Sequence, residues 1–322
     1  MAQPAGTFDT YDAKGLREDL SNVIYTLSPD ETPFISNIGR VKVSATKHEW
    51  QVDAIGNAST ANAQVQGDEF SYSDPTATTR VGNFTQISTR TAQVSNTLEA
   101  VQKAGRDKEM AYQMALQTRR LKIDMEAILL SNQASVAGTN AVAPKLGGLP
   151  SWLTTNVSRG ATGSSGGYNT GTGLTVAATN GTQRALSEDQ VKDVMQAAWN
   201  AGGSPSILML GAFNKRKAST ALTGIADIRK DAPGSKAATV IGSVETYVSD
   251  FGNISIVPNR YIAARDAFLL DPEFAALGQL RAPKVMDPAV TGDYQRKVIL
   301  AEYTLIVKNE AAHGHIADLT TA

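Results

Sequence analysis

Two extended stretches set around a polar middle decide the fold: Val41 to Asp53 (VKVSATKHEWQVD) and Gly82 to Val94 (GNFTQISTRTAQV). The first alternates and is rich in Val, Thr and Trp; the second does the same through Phe84, Ile87, Thr89 and Thr91. Such runs fit half-buried strands. The segment between them, Asn57 to Pro75, is mostly Asn, Ala, Gln, Ser, Gly and Asp. A two-stranded hairpin of this kind is marginally stable alone in water. A loop this long inside a compact domain is unusual unless it is functional. The pair is therefore expected to be an arm that lays its apolar side on a surface outside its own subunit. A second copy of the chain supplies such a surface, so the first expectation is self-assembly.

Working outward, the preceding residues carry turn signals at Ser28-Pro29-Asp30 and Thr32-Pro33. Before them Leu16, Leu20, Val23, Ile24 and Leu27 recur at helical spacing, with Asp12 as a candidate cap. This helix packs either on its own domain or, as an arm, on a neighbour; the sequence does not choose. After the hairpin the spacing predicts a long helix over Lys108 to Asn132. Met110, Met114, Leu121, Met125 and Ile128 form its stripe, Thr118 completes it, and Arg119, Lys122 and Glu126 lie off it. About 25 residues at ~1.5 Å each cross a whole domain.

From Ser158 to Thr182 the composition turns to Gly, Ser, Thr and Asn, which reads as a loosely ordered surface insertion. Ser187 before Glu188, Asp189 and Gln190 is a capping box for a helix to about Ala201, stopped by Gly202-Gly203. Ser206 to Leu210 (SILML) is a buried strand and Ala212 to Ala221 a helix. Val244 to Val248 and Ile254 to Val257 flank a tight turn, for which Gly252-Asn253 suits positive φ. Ala267 to Leu270 is another buried strand, and Arg296 to Lys308 a long one paired with Ala275 to Lys284. The order is mixed α+β, without the βαβα rhythm of a doubly wound sheet.

Composition narrows the function. The 322 residues carry a net charge of -1, which gives no bulk attraction to nucleic acid or anionic lipid. There are no cysteines, hence no disulfide framework and no thiolate metal site. The first residues have neither a basic nor an apolar signal-peptide region, which disfavours a secreted adhesin. No run approaches the roughly 18 apolar residues of a membrane span.

Chemistry-bearing patterns are sparse. Gly163-Ser164-Ser165-Gly166-Gly167 matches the G-x-S-x-G motif of serine hydrolases, but it lies in the Gly/Ser-rich segment and not at a strand–helix elbow. His313 and His315 are two apart and would share a strand face, with Asp318 or Glu310 as a third metal ligand. Two histidines in a surface tail are more often unliganded. Asp124 and Glu126 read as a solvated helix face. No catalytic, cofactor or metal residue is assigned.

The local wording is more specific than any of these motifs. It runs from Gly6-Thr7-Phe8, Arg17-Glu18-Asp19-Leu20 and Thr32-Pro33-Phe34 through Thr46-Lys47-His48-Glu49-Trp50-Gln51. It continues with Gly82-Asn83-Phe84-Thr85-Gln86-Ile87, Lys103-Ala104-Gly105-Arg106, Trp152-Leu153-Thr154-Thr155-Asn156 and Phe213-Asn214-Lys215. It ends with Tyr247-Val248-Ser249-Asp250-Phe251-Gly252, Val257-Pro258-Asn259-Arg260, Leu270-Asp271-Pro272-Glu273 and Glu302-Tyr303-Thr304-Leu305. With the element order, this resembles the major capsid proteins of tailed bacteriophages, of Hong Kong 97-type fold, in a branch long known only as a domain of unknown function.

The resemblance implies an N-arm (1–40), an E-loop (41–95), a peripheral domain with a spine helix (96–157 and 276–310), the insertion (158–186) and an axial domain (187–275 and 311–322). It implies hexamers and pentamers in an icosahedral head that encloses double-stranded DNA without reading its sequence. The implied intersubunit residues are Val43, Trp50, Val52, Phe84 and Ile87 in the E-loop, and Leu16, Leu20 and Ile24 in the N-arm. Implied partners are a portal, a decoration protein and a scaffold. The arm motif begins within ten residues of Met1, so the scaffold is expected to be a separate protein or already removed. Neither Lys42 nor Lys47 matches a motif for covalent cross-linking. Localisation is the virion capsid, assembled in the host cytoplasm, with no membrane. The alternative is an encapsulin-type nanocompartment shell.

Overall fold

The computed structural model describes residues 31–321, apart from positions 54, 57, 70, 71, 73 and 76 and the stretches 222–228, 231–238 and 241–244. Leu16, Leu20 and Ile24 lie outside the described residues. The chain opens with α1 (Pro33–Asn37), β1 (Gly39–Lys42), β2 (Lys47–Val52), β3 (Thr79–Phe84) and β4 (Gln86–Ser95). Next come α2 (Asn96–Ala100), α3 (Glu109–Leu129), β5 (Val157–Ser158), β6 (Gly167–Asn169) and β7 (Leu174–Val176). Then follow α4 (Glu188–Asn200), β8 (Ile207–Leu210), α5 (Ala212–Ala221) and the short pair β9 (Arg229–Lys230) and β10 (Thr239–Val240). The last strands are β11 (Thr246–Ser249), β12 (Gly252–Pro258), β13 (Ala267–Leu270), β14 (Ala275–Met286), β15 (Tyr294–Val307) and β16 (Gly314–Ile316).

The two extended stretches of the arm each split in two. Their outer parts, β2 and β3, pair antiparallel as a two-stranded arm, while β1 and β4 enter a four-stranded sheet of order β1-β14-β15-β4. The arm thus leaves one edge of that sheet and returns to the other. Lys42, Gln279, Tyr303 and Gln86 are register partners in sequence across the four strands, so both legs of the arm stand in one row.

The sheet is covered on both faces, which is why the end of β15 reads as an unbroken apolar run. On one face α3 buries Met110, Met114, Leu121 and Met125 with Leu277, Tyr303, Leu305 and Val307. On the other, the root of the arm brings Val43 onto Ala276 and Ile306, with Trp50 packed against them. Gly278 leaves the space that Val43 fills, since a Cβ there would stand 2.7 Å from a Val43 methyl.

The helix stripe differs from expectation at two places. Thr118 is exposed and donates back to the Met114 carbonyl at 2.8 Å. Glu126, expected on the solvated face, is fully buried: Oε1 accepts from Phe34 N and Asn259 Nδ2, both at 2.7 Å, and Oε2 accepts from Ile35 N at 2.9 Å. Asp124 is not merely solvated either; it takes a two-pronged pair from Arg90 at 2.6 and 2.7 Å.

A second core lies between α4 and a six-stranded sheet of order β11-β12-β8-β13-β16-β5. Ser187 caps α4 as read, accepting from Gln190 N at 3.4 Å, and Val191, Val194, Met195 and Ala198 are buried. The β11–β12 turn is Asp250-Phe251 and not Gly252-Asn253, because Ser249 pairs with Gly252. Gly252 still needs its φ of +135° to re-enter the strand.

The Gly/Ser-rich segment is built, not loose. It holds β5, β6 and β7, and β5 is an edge strand of the six-stranded sheet, so the expected boundary at 157/158 cuts through a strand. Its glycines are there for close packing: a Cβ on Gly160 would stand 1.9 Å from the Thr182 carbonyl oxygen, and one on Gly166 2.4 Å from that of Val176.

Candidate assembly arm

The root of the arm is fastened by buried polar groups. Asn83, on β3, donates to the carbonyls of Leu305 (2.8 Å) and Gly147 (3.1 Å) and accepts from Gly147 N (2.8 Å). One fully buried amide thereby ties the arm to the central strand and to the loop after α3, and all its polar atoms are satisfied. Thr85 donates to Glu302 Oε1 at 2.8 Å, while Arg281 holds Oε2 at 2.6 Å. Thr304 Oγ1 donates to the Phe84 carbonyl at 2.9 Å. None of these residues carried a pattern that marks it as a fastener; apart from the Arg281–Glu302 bond, 21 positions apart, their partners are 64 to 222 positions away.

Above the root, β2 and β3 pair from Lys47↔Phe84 to Val52↔Thr79. An aromatic ladder sets their lean. Trp50 stacks on Trp152 at 5.4 Å, and Trp152 on Tyr168 at 5.4 Å with planes 5° apart. His48 stands 5.8 Å from Trp50 on the arm side. Offset stacks of this kind contribute about 0.5–1.5 kcal/mol each beyond burial. Gly82 lets the strands approach, with Glu49 Cγ only 2.6 Å from where its Cβ would be. Glu49 pairs with Lys47 (3.0 Å) and Arg80 (3.2 Å), and the Lys47 hydrogen bond holds its carboxyl below the usual range.

The five E-loop residues expected at the subunit contact fare differently. Val43 is a correction: it is buried at home against Ala276 and Ile306, leaving no area for a neighbour. Trp50 is half-buried, stacked on Trp152 and packed against Val43, Ala276 and Ile306. Val52 and Phe84 are half-buried, and Ile87, on β4 and not on the arm proper, is exposed. The tip, read only as polar, carries three apolar side chains that the chain does not cover: Ile55 is fully exposed, Tyr72 93% and Val65 75%. Alternation could not reveal them, because they lie singly among small polar residues.

The serine, histidines and carboxylates with chemical potential are otherwise engaged. Ser165 accepts from Arg159 Nε at 3.3 Å in a loop between short strands, with no elbow and no following helix. His313 and His315 are buried on and beside β16, which corrects the surface-tail reading. His313 Nδ1 accepts from Asp271 N at 3.2 Å, while His315 sits between Asp266 (3.2 Å) and Arg159 (3.3 Å) over Phe268. Asp318, at φ +61° and fully buried, accepts from Gly160 N, Gly181 N and Arg265. Glu310 accepts from Thr154 N, Thr155 N and the Thr155 hydroxyl. Among the described residues no three His, Asp or Glu side chains converge as a metal site.

Burial pushes the His313 pKa down to about 4 and that of His315 below its ordinary value. The unfolded chain then binds protons that the fold excludes, so stability is present above about pH 6.5 and lost as pH falls toward 4. For His313 the slope is about 1.4 kcal/mol per pH unit. Replacing it, His313→Asn, keeps an acceptor near Asp271 N and is expected to flatten the acid limb of urea unfolding between pH 6.5 and 4. An unchanged limb would show that His313 is not the titrating group.

A family model described as SU10 major capsid protein matches residues 3–320. The major capsid protein of Escherichia phage Phieco32 is 25% identical over 350 aligned positions, covering 98% of this chain and 97% of that one. The cyanophage A-1(L) capsid has a similar fold, with a TM-score of 0.64 at 11% identity over 97% of this chain and 98% of that one. An encapsulin complex of Synechococcus elongatus PCC 7942 is also similar, with a TM-score of 0.56 at 10% identity over 96% of this chain and 98% of that one. Matched over almost its whole length and folded in the Hong Kong 97-type manner, the chain belongs to the SU10 major capsid protein family.

Proposed function

We propose that this capsid protein assembles as hexamers and pentamers into an icosahedral head around double-stranded DNA, each arm lying across the adjacent subunit. One observation carries the reading: a two-stranded arm, rigidly mounted at its root, whose tip exposes Ile55, Val65 and Tyr72. Head-to-tail contacts of this sort close into rings. The near-neutral chain suits containment of DNA without phosphate neutralisation. In this reading the four-stranded sheet with α3 is the peripheral domain, the six-stranded sheet with α4 and α5 the axial domain, and Val52, Phe84 and Ile87 flank the contact. A scaffold, a portal and a decoration protein complete assembly, which takes place in the host cytoplasm.

The test is negative-stain microscopy with light-scattering mass on the purified chain across salt and crowder concentrations. Rings, tubes or closed shells of uniform curvature are expected. A single-chain particle under every condition, with the arm protected from protease, would overturn the reading.

The likeness to an encapsulin supports a second reading, a nanocompartment shell. Particles isolated from the native host separate the two: packaged DNA favours the head, and a co-purifying enzyme cargo favours the compartment.

A further inference from the structure

A second line of side chains runs along α3, nearly opposite the buried stripe of Met110, Met114, Leu121 and Met125. At about 3.6 residues per turn it passes through Tyr112, Leu116, Arg119, Ile123 and Glu126. Tyr112, Leu116 and Ile123 are half-buried, yet none of them joins the apolar cores formed by the described residues. A surface helix ordinarily has one apolar stripe and a polar back. A second apolar line calls for a second covering body.

The end of the line shows where that body comes from. Glu126 is covered by α1, whose Phe34 and Ile35 N–H groups donate to it at 2.7 and 2.9 Å. The chain upstream of α1 therefore arrives on this side of α3, one turn beyond Ile123. Leu27 precedes Phe34 by seven positions, which at ~3.3–3.6 Å each keeps it within about 25 Å of that turn.

Spacing and charge agree with this placement. Leu16, Leu20, Val23, Ile24 and Leu27 recur at helical steps, and Leu16 to Leu27 spans the same length of helix as Tyr112 to Ile123, about 16 Å. Over that stretch α3 carries Arg119, Arg120 and Lys122, all exposed, and no carboxylate. Residues 1–30 carry Asp9, Asp12, Glu18, Asp19 and Asp30 against Lys14 and Arg17.

We propose that residues 16–27 lie as a helix along this second line of the chain's own α3, their apolar stripe covering Tyr112, Leu116 and Ile123. The two helices run parallel, because Leu27 leads into α1 at the C-terminal end of α3, and the turns at Ser28-Pro29-Asp30 and Thr32-Pro33 make the connection. An acidic segment then sits on a basic helix face, which fixes its orientation. Leu16, Leu20 and Ile24 are used within the subunit and not as a strap on a neighbour. The inference concerns one subunit and stands apart from the assembly reading.

The chain has no cysteine, so introduced thiols report the contact without background. The measurements use the full chain, dilute and unassembled, with circular dichroism to verify folding. Leu116→Cys is expected to react with a maleimide at least tenfold faster once Leu20→Asp and Ile24→Asp are added. Val248→Cys, at an exposed position, should react equally fast with and without them. Ile123→Cys is the second reporter if Leu116→Cys does not fold. Two double variants, Leu20→Cys with Leu116→Cys and Leu27→Cys with Ile123→Cys, are then oxidised at rising protein concentration. An intrachain disulfide with a yield independent of concentration is expected from at least one of them. A dimer band that grows with concentration would give this face to the segment of a second copy and overturn the proposal. Absence of an intrachain bond in both variants overturns it too, as does labelling indifferent to the Leu20 and Ile24 changes, which would leave the face to another occupant.

Discussion

Removing residues 57–75 is expected to leave a folded subunit that no longer builds shells. The deletion takes away Val65 and Tyr72 and three of the four tip carboxylates, none of which supports the subunit's own core. Burial of each such apolar side chain is worth about 1.5–3 kcal/mol. Losing two weakens every arm contact by roughly 3–6 kcal/mol, or a hundredfold or more. A closed ring repeats that contact at each subunit, so the loss compounds. The fold is spared because β2 and β3 keep their pairs, the root keeps Asn83 and the ladder, and a shorter loop costs less entropy to close. Circular dichroism and thermal melting should match the full chain, while light scattering should show only small species. Normal shells from the deletion would sink the arm argument.

Glu126→Ala is expected to be the most damaging single change to the subunit. It orphans Phe34 N and Ile35 N inside the core and leaves Asn259 Nδ2 only the Met209 sulfur, at 3.2 Å. Removing one member of a buried charged network costs about 3–5 kcal/mol, a large part of a typical domain's stability. Three segments meet at this carboxylate: α1, which leads into the first leg of the arm; α3; and the loop after β12. Loss of Glu126 should therefore loosen α1 before it melts the rest, seen as faster hydrogen exchange near residues 34–38. Glu126→Gln should cost less, since its one carbonyl oxygen can still accept from Phe34 N and Asn259 Nδ2, leaving only Ile35 N facing another donor. Burial pushes the Glu126 pKa up, against the pull of the Ile35 and Phe34 N–H groups and Asn259. Its contribution is thus full below the ordinary carboxylate range and declines as pH rises through the raised value. Equal melting of Ala, Gln and parent proteins at pH 7 would show the network to be idle.

Local pattern carried much of the architecture. Alternation marked the arm strands, the capping box at Ser187 marked α4, and unbroken apolar runs marked β8 and β13, because in each case the cause lies within a few residues. The errors have long-range causes. Glu126 reads as solvated until Phe34, Ile35 and Asn259, 92, 91 and 133 positions away, are brought to it. The Gly/Ser segment reads as loose because composition does not distinguish glycine chosen for freedom from glycine chosen for lack of room, as at Gly160 and Gly166. At the arm, Val43 was misassigned because its period fits a strand face without saying which body covers it. The tip residues escaped notice because no neighbour in sequence repeats them.

The two legs of the arm, at Lys42 and Gln86, stand on opposite edges of the same sheet in one row. Three inter-strand spacings separate them, about 14 Å. A strap on a single hinge would swivel under a sideways push; one on two feet this far apart converts the push into torque on the sheet beneath. Each foot is held by a ladder of backbone hydrogen bonds, and β14 and β15 run between them. The arm is thus a lever with a stiff fulcrum, and in the proposed assembly a shift of the adjacent subunit under its tip would reach the central strands of its own subunit as a turning force.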